Sequence, residues 1–311
     1  MKITAQSNTL TAGALRANIA NSRASWRDYL EMCKPKVVLM MILTSAIGMM
    51  LARSGLPDLN VMIFGNIGIA LMAGSAAAIN HVVDRKVDTL MSRTKNRPLA
   101  KGKVSVVNAL VFAISLGVLG MALLAIQINP LTAWLTFASL IGYAVVYTLF
   151  LKRATPQNIV IGGIAGAAPP LLGWTSVTGA IEPNSLLLVL IIFAWTPPHF
   201  WALAIHRKAE YAKADIPMLP VTHGEAYTKV QILLYTFILL AVSLFPFITG
   251  MSGYLYLASA LALGSRFIYW AVVMIKNSRP NAPINTFKFS ITYLMLLFVA
   301  LLFDHYLLEM I

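Results

Sequence analysis

Apolar residues in this chain come in long unbroken runs, not in the three-four spacing of a surface helix or the alternation of a half-buried strand. Runs of roughly 20 residues suffice for a helix to cross the hydrocarbon core. They fall at about 37–53, 60–81, 105–125, 131–150, 158–180, 185–206, 230–250, 253–275 and 287–308. The pattern predicts an all-α, polytopic membrane protein: nine transmembrane helices in one domain over residues 29–311, behind a flexible tail over residues 1–28. The fifth span carries Pro169-Pro170 and the sixth Pro197-Pro198. Proline pairs interrupt helical hydrogen bonding, and such breaks survive in hydrocarbon where protein or a cavity re-satisfies the backbone, so an interior cavity is expected there.

Composition agrees with the pattern. The chain is 59% hydrophobic and 11% charged, with a mean hydropathy of +0.76. The net charge of +13 changes the picture only through its placement. Every lysine and arginine except Arg53 and Arg266 falls in the amino-terminal segment or in the loops after spans two, four, six and eight. By the positive-inside rule the amino terminus is cytoplasmic and the carboxyl terminus lies outside. The basic balance is therefore a topology signal, not a footprint for nucleic acid. Residues 1–28 have no apolar core of the secretory-signal kind, and a cytoplasmic tail is a simpler reading than a transit peptide. Trp26, Tyr29 and Lys34-Pro35-Lys36 read as an interfacial lead into span one. Cys33 is the only cysteine, which excludes an intramolecular disulfide and a cysteine-cluster metal site.

Against this apolar background the stretch from Asn80 to Lys103 is dense in charge. Asn80, Asp84 and Asp88 are four apart, so a helix running through them carries all three on one face. Two carboxylates with an amide suit Mg²⁺, a hard cation that is usually completed by water and substrate phosphates. Arg93, Lys95 and Arg97 can meet the remaining phosphate oxygens. The bland reading is a cytoplasmic loop that is basic because such loops are, with two solvated aspartates.

Other polar positions carry paired readings too. Arg207, Lys208, Glu210, Tyr211, Lys213 and Asp215 form a second cytoplasmic cluster four spans after the first, which hints at duplicated four-helix units. Tyr143 and Tyr147 share a helical face, as site residues or as an interfacial aromatic belt. His199, after Trp195, binds a metal or polar group or is a satisfied core histidine. Arg266 falls within span eight, facing a polar cavity or snorkelling to the interface. Asp304 and His305 read as interfacial.

Several stretches carry a resemblance. Asn80-x-x-x-Asp84-x-x-x-Asp88 followed by Arg93-Thr94-x-x-Arg97-Pro98 resembles the first signature of the UbiA superfamily of intramembrane prenyltransferases. Tyr147-Thr148-x-x-Leu151-Lys152-Arg153, Trp195-Thr196-Pro-Pro-His199-Phe200-Trp201 and Tyr211-x-x-Ala214-Asp215-Ile-Pro narrow it to the haem-farnesylating branch. A second paired-aspartate motif is absent, because Leu219 stands four residues after Asp215. The resemblance implies a helical bundle whose central cavity opens to the cytoplasm, and Mg²⁺-dependent transfer of farnesyl from farnesyl diphosphate to a vinyl group of haem B. It implies metal ligands Asn80, Asp84 and Asp88, with Asp215. Diphosphate contacts would come from Arg93, Lys95, Arg97, Lys152, Arg207, Lys208 and Lys213. Haem or the prenyl chain would lie near His199, Tyr143, Tyr147, Trp195, Glu210, Tyr211 and Arg266. A bacterial inner membrane is favoured over a mitochondrial one, with haem A synthase or oxidase assembly proteins as partners. The alternatives are a sibling enzyme acting on an aromatic quinone precursor such as 4-hydroxybenzoate and, from another class, a secondary transporter.

Overall fold

The structure is a computed structural model that describes residues 24–309, all helix and loop, with no strand among them. Most of the expected tail therefore lies outside the described residues. Its end does not behave as a tail: helix α1 spans Trp26–Met32, because Ser25 and Asp28 close a capping box on its first turn. Asp28 is buried there and pairs with Lys103 at 3.3 Å. After a 54° bend, α2 covers Pro35–Leu51.

Eight further helices are long and apolar: α3 (Leu59–Asp88), α4 (Val106–Gln127), α5 (Pro130–Ala154), α6 (Asn158–Thr178), α7 (Pro183–His206), α10 (Gly224–Ile248), α11 (Tyr254–Ile275) and α12 (Ala282–Glu309). Counting the bent α1–α2 pair as one span gives up to nine membrane crossings, as the hydropathy runs predict. Between α7 and α10 lie the short helices α8 (Lys208–Lys213) and α9 (Leu219–Thr222).

The two proline pairs behave differently. In α6 the helix stops at Ala167 and restarts at Pro169. In α7 the expected break does not occur: the helix runs continuously through Pro197 and Pro198. Two missing N–H donors remove two rungs of a long ladder without ending it, a loss that membrane helices tolerate when neighbours pack against the freed carbonyls.

Helix α2 packs on the second half of α6, α3 on α4, and α7 on α10 and α12. Gly48 and Gly173 allow the α2–α6 approach, since a Cβ at either would overlap the backbone of Pro170 or Ser45. Asp304, expected at an interface, is instead buried and accepts hydrogen bonds from the backbone N–H of Gly253 and Tyr256, capping the start of α11.

Candidate active site

Helix α3 is 30 residues long, about 45 Å at 1.5 Å per residue, against a hydrocarbon core of about 30 Å. Its last turns therefore carry Asn80, Asp84 and Asp88 toward the face that bears loops 89–105 and 207–223. All three are buried, with 3%, 2% and 4% exposure. Buried carboxylates require partners, and three separate elements supply them and their neighbouring amide.

From the head of α2, Lys34 places Nζ 2.6 Å from Asn80 Oδ1 and 3.2 Å from the Tyr143 hydroxyl. Its backbone is left-handed, at φ 52° and ψ 59°. Pro35 disfavours the right-handed helical region for the residue before it, and this turn aims the amine inward. From α5, Lys152 Nζ reaches Asp84 Oδ2 at 2.6 Å, and Thr148 Oγ1 accepts from Asn80 Nδ2 at 3.3 Å. From the loop after α3, Arg97 Nη1 donates to both Asp88 oxygens at 2.9 and 2.8 Å. Thr94 Oγ1 donates to the Asp88 carbonyl at 3.0 Å, which ties the loop back onto α3.

The α5 contribution depends on a change of helix type. Residues Gly142–Leu151 form a π-helix, and the wider turn brings Tyr143, Tyr147, Thr148 and Lys152 toward one side. Thr148 Oγ1 donates to the Tyr143 carbonyl at 2.7 Å. The two tyrosines stack at 5.6 Å with a 15° interplanar angle, and Tyr147 lies over Gly162, where a Cβ would overlap its ring. The two polar loops also meet. Ser92 Oγ donates to Glu210 Oε1 at 2.8 Å. Burial pushes the Tyr211 phenol above its ordinary pKa, against the pull of the Arg93 and Arg207 charges.

Two carboxylates are thus answered by Lys152 and Arg97, with Lys34, Arg93 and Arg207 in surplus. Such a cluster suits a multiply charged anion. It also fits a divalent cation: Asp84 Oδ1 is buried without a hydrogen-bond partner, beside the Asn80 amide. Among the described residues no three or more acidic, histidine or cysteine side chains gather as a metal cluster. Asp84, Asp88 and Asn80 would therefore leave the remaining positions to substrate oxygens and water, as Mg²⁺ commonly does.

Lys95, Lys213 and Asp215 are exposed, Asp215 in a left-handed turn at φ 50°. Asp215 thus does not join Asp84 and Asp88 in a three-acid group. Lys208 turns to Glu225 at 3.4 Å. Arg266 is exposed on α11, its guanidinium 4.7 Å above the Tyr269 ring and 5.6 Å from that of Trp270. There it stacks on aromatic rings, which accommodates the charge without an ion pair. On α7, His199 packs against Trp195 and Phe287 and reaches Ser290 of α12. Lys34 and Thr148, which contact Asn80, and Ser290, which contacts His199, were not anticipated from the sequence. A Lys-Pro pair at the head of an apolar run was the available signal for the first.

The arrangement defines a class: an all-helical membrane bundle with a carboxylate ladder and a surplus of cations at one end of its second long helix. Solved structures share its fold. A digeranylgeranylglyceryl phosphate synthase superposes with a TM-score of 0.77 at 18% identity, covering 90% of this chain and 98% of its own. A UbiA homolog from Archaeoglobus fulgidus bound to GPP and Mg²⁺ gives 0.63 at 19%, covering 88% and 99%. The chain belongs to the UbiA prenyltransferase family, whose sequence profile matches residues 41–302. Among curated relatives, the protoheme IX farnesyltransferase of Hahella chejuensis is 68% identical over 283 residues, covering 91% of this chain and 95% of the relative. Protoheme IX farnesyltransferase 1 of Pseudomonas fluorescens is 70% identical over 288 residues, covering 92% and 96%.

Proposed function

We propose that the protein transfers farnesyl from farnesyl diphosphate to a vinyl group of haem B, with addition of water, giving haem O. The observation that carries the prenyl-transfer half is the buried Asn80-Asp84-Asp88 ladder with Lys34, Lys152 and Arg97 on it. The acceptor assignment is supported by relatives named protoheme IX farnesyltransferase at 68–70% identity.

In this reading Asp84, Asp88 and Asn80 hold Mg²⁺, which when bound supplies charge neutralisation for the leaving diphosphate. Lys34, Lys152 and Arg97 exchange their carboxylate and amide contacts for diphosphate oxygens, and Arg93 and Arg207 add charge from the rim. Their positive field stabilises the charge that develops as the C1–O bond of the allylic substrate breaks, with the electron pair leaving on the diphosphate. The terminal vinyl carbon of haem bonds to farnesyl C1. The resulting cation, adjacent to the porphyrin ring, is captured by water, which gives up one proton to solvent. No protein nucleophile is needed. The protein's contribution is positioning, electrostatics and an apolar surrounding for the prenyl chain. The amino terminus lies in the cytoplasm of a bacterial cell, so that both water-soluble substrate headgroups enter from the side of the loops.

The test is a product assay in detergent with Mg²⁺ and farnesyl diphosphate, offering haem B in one reaction and 4-hydroxybenzoate in another. A farnesylated, hydrated haem supports the reading. Prenylated benzoate with unchanged haem would move the protein to a quinone-precursor acceptor.

A further inference from the structure

The last long helix holds no acidic or basic cluster, yet it meets α7 at a defined polar contact. The His199 ring is sandwiched by Trp195 at 4.1 Å and 22° and by Phe287 at 4.6 Å and 29°, with Phe200 edge-on at 5.0 Å. Its Nδ1 lies 2.6 Å from Ser290 Oγ. The same Oγ lies 2.6 Å from the Phe287 carbonyl oxygen. A carbonyl can only accept, so the single hydroxyl proton of Ser290 is directed to Phe287, and toward His199 the oxygen acts as acceptor. Nδ1 then carries the imidazole proton, and Nε2 of the neutral ring bears a lone pair. The Ser290 carbonyl in turn accepts from Trp195 Nε1 at 2.7 Å, so one residue holds both the histidine and the indole stacked on it.

We propose that Ser290 is a positioning residue that fixes His199 as its Nδ1–H tautomer and presents Nε2 as an axial ligand to the iron of the porphyrin acceptor. The inference rests on the haem-acceptor reading above. It excludes the other role open to His199, donation from Nε2 to a haem propionate, because that nitrogen carries no proton. Both ring faces are covered and Nδ1 is engaged, so Nε2 is the polar position left for the substrate. The logic is that of metal-bound histidines generally, whose second nitrogen is held by an outer partner that sets tautomer and orientation.

The test titrates haem B into detergent-solubilised full-length protein, wild type and His199→Ala, Ser290→Ala and Ser290→Thr variants. Ferrous resonance Raman reads the iron–histidine stretch, and farnesyl-haem formation is followed in parallel. Wild type should show the stretch and His199→Ala should lose it, with external imidazole restoring a nitrogen-ligated spectrum. Ser290→Ala should shift the stretch and weaken haem affinity about tenfold; Ser290→Thr, which keeps the hydroxyl, should restore both. Thermal melting and farnesyl diphosphate binding serve as controls for folding. Farnesylation of haem by the wild type with no stretch, or with one that His199→Ala leaves unchanged, overturns the proposal and spares the acceptor reading. A Ser290→Ala protein identical to wild type in stretch and affinity overturns the role of Ser290. A wild type that neither binds nor farnesylates haem overturns the acceptor reading and the proposal with it.

Discussion

Among single residues, a few buried charges decide the chemistry. Asp84→Asn retains shape and hydrogen bonding to Lys152 and Asn80 but removes the charge that holds a cation, so prenyl transfer should fall by at least about 100-fold, read as product per enzyme. Lys34→Met should raise the KM for farnesyl diphosphate about tenfold with a smaller change in kcat, because a charge-assisted contact to the leaving group's oxygens is lost. Lys152→Met strands Asp84 as a buried carboxylate, a loss of about 3–5 kcal/mol when an ion pair is broken from one side. Mg²⁺ should return part of it, so the metal should raise the Tm of Lys152→Met more than that of wild type, and EDTA should abolish the difference. The Asp84 ladder was legible because four-residue spacing on a helix is a local property. Lys34 was read as an interfacial anchor because its inward aim depends on a left-handed backbone ahead of Pro35. Arg266 was a site candidate because hydropathy gives depth but not the face of α11 that it occupies. The contact of Ser290 with His199 joins residues 91 positions apart, beyond any local pattern.

At the scale of elements, two close approaches and one irregular helix set the site. Ala at Gly48 or Gly173 places a Cβ into the facing backbone of α6 or α2. Backbone cannot yield as a side-chain tip can, so each should cost about 1–3 kcal/mol or more, seen as a lowered Tm. Gly162→Ala meets the Tyr147 ring instead. It should shift the tyrosine pair and reduce turnover more than stability, measured as a kcat loss with a near-native Tm. The hydropathy runs predicted the long helices because burial in lipid demands unbroken apolar segments. They did not reveal the π-helix of residues 142–151, whose register comes from packing of Thr148 and Lys152 against Asn80 and Asp84. They also overstated the Pro197-Pro198 pair, since continuity of α7 is decided by neighbours and not by the prolines alone.

At the scale of the whole molecule, the loops after α3 and α7 converge although they are more than a hundred residues apart in sequence, joined by Ser92 and Glu210. The basic loops share one face of the bundle, which the positive-inside rule predicts to be the cytoplasmic one. In a Cys33→Ser background, Lys101→Cys should be shielded from an impermeant maleimide applied to intact cells, and Leu56→Cys on the opposite face should react; the reverse pattern would invert the topology. The claim that unites these scales is that the α3 ladder ionises a prenyl diphosphate for attack by haem. A single-turnover reaction of wild type and Asp84→Asn with Mg²⁺, farnesyl diphosphate and haem B, following diphosphate release and farnesyl-haem together, tests it most directly. The wild type should release one diphosphate per farnesylated haem, and Asp84→Asn should lose both together while binding haem with the wild-type spectrum. Farnesyl-haem formed by Asp84→Asn at the wild-type rate would contradict the account.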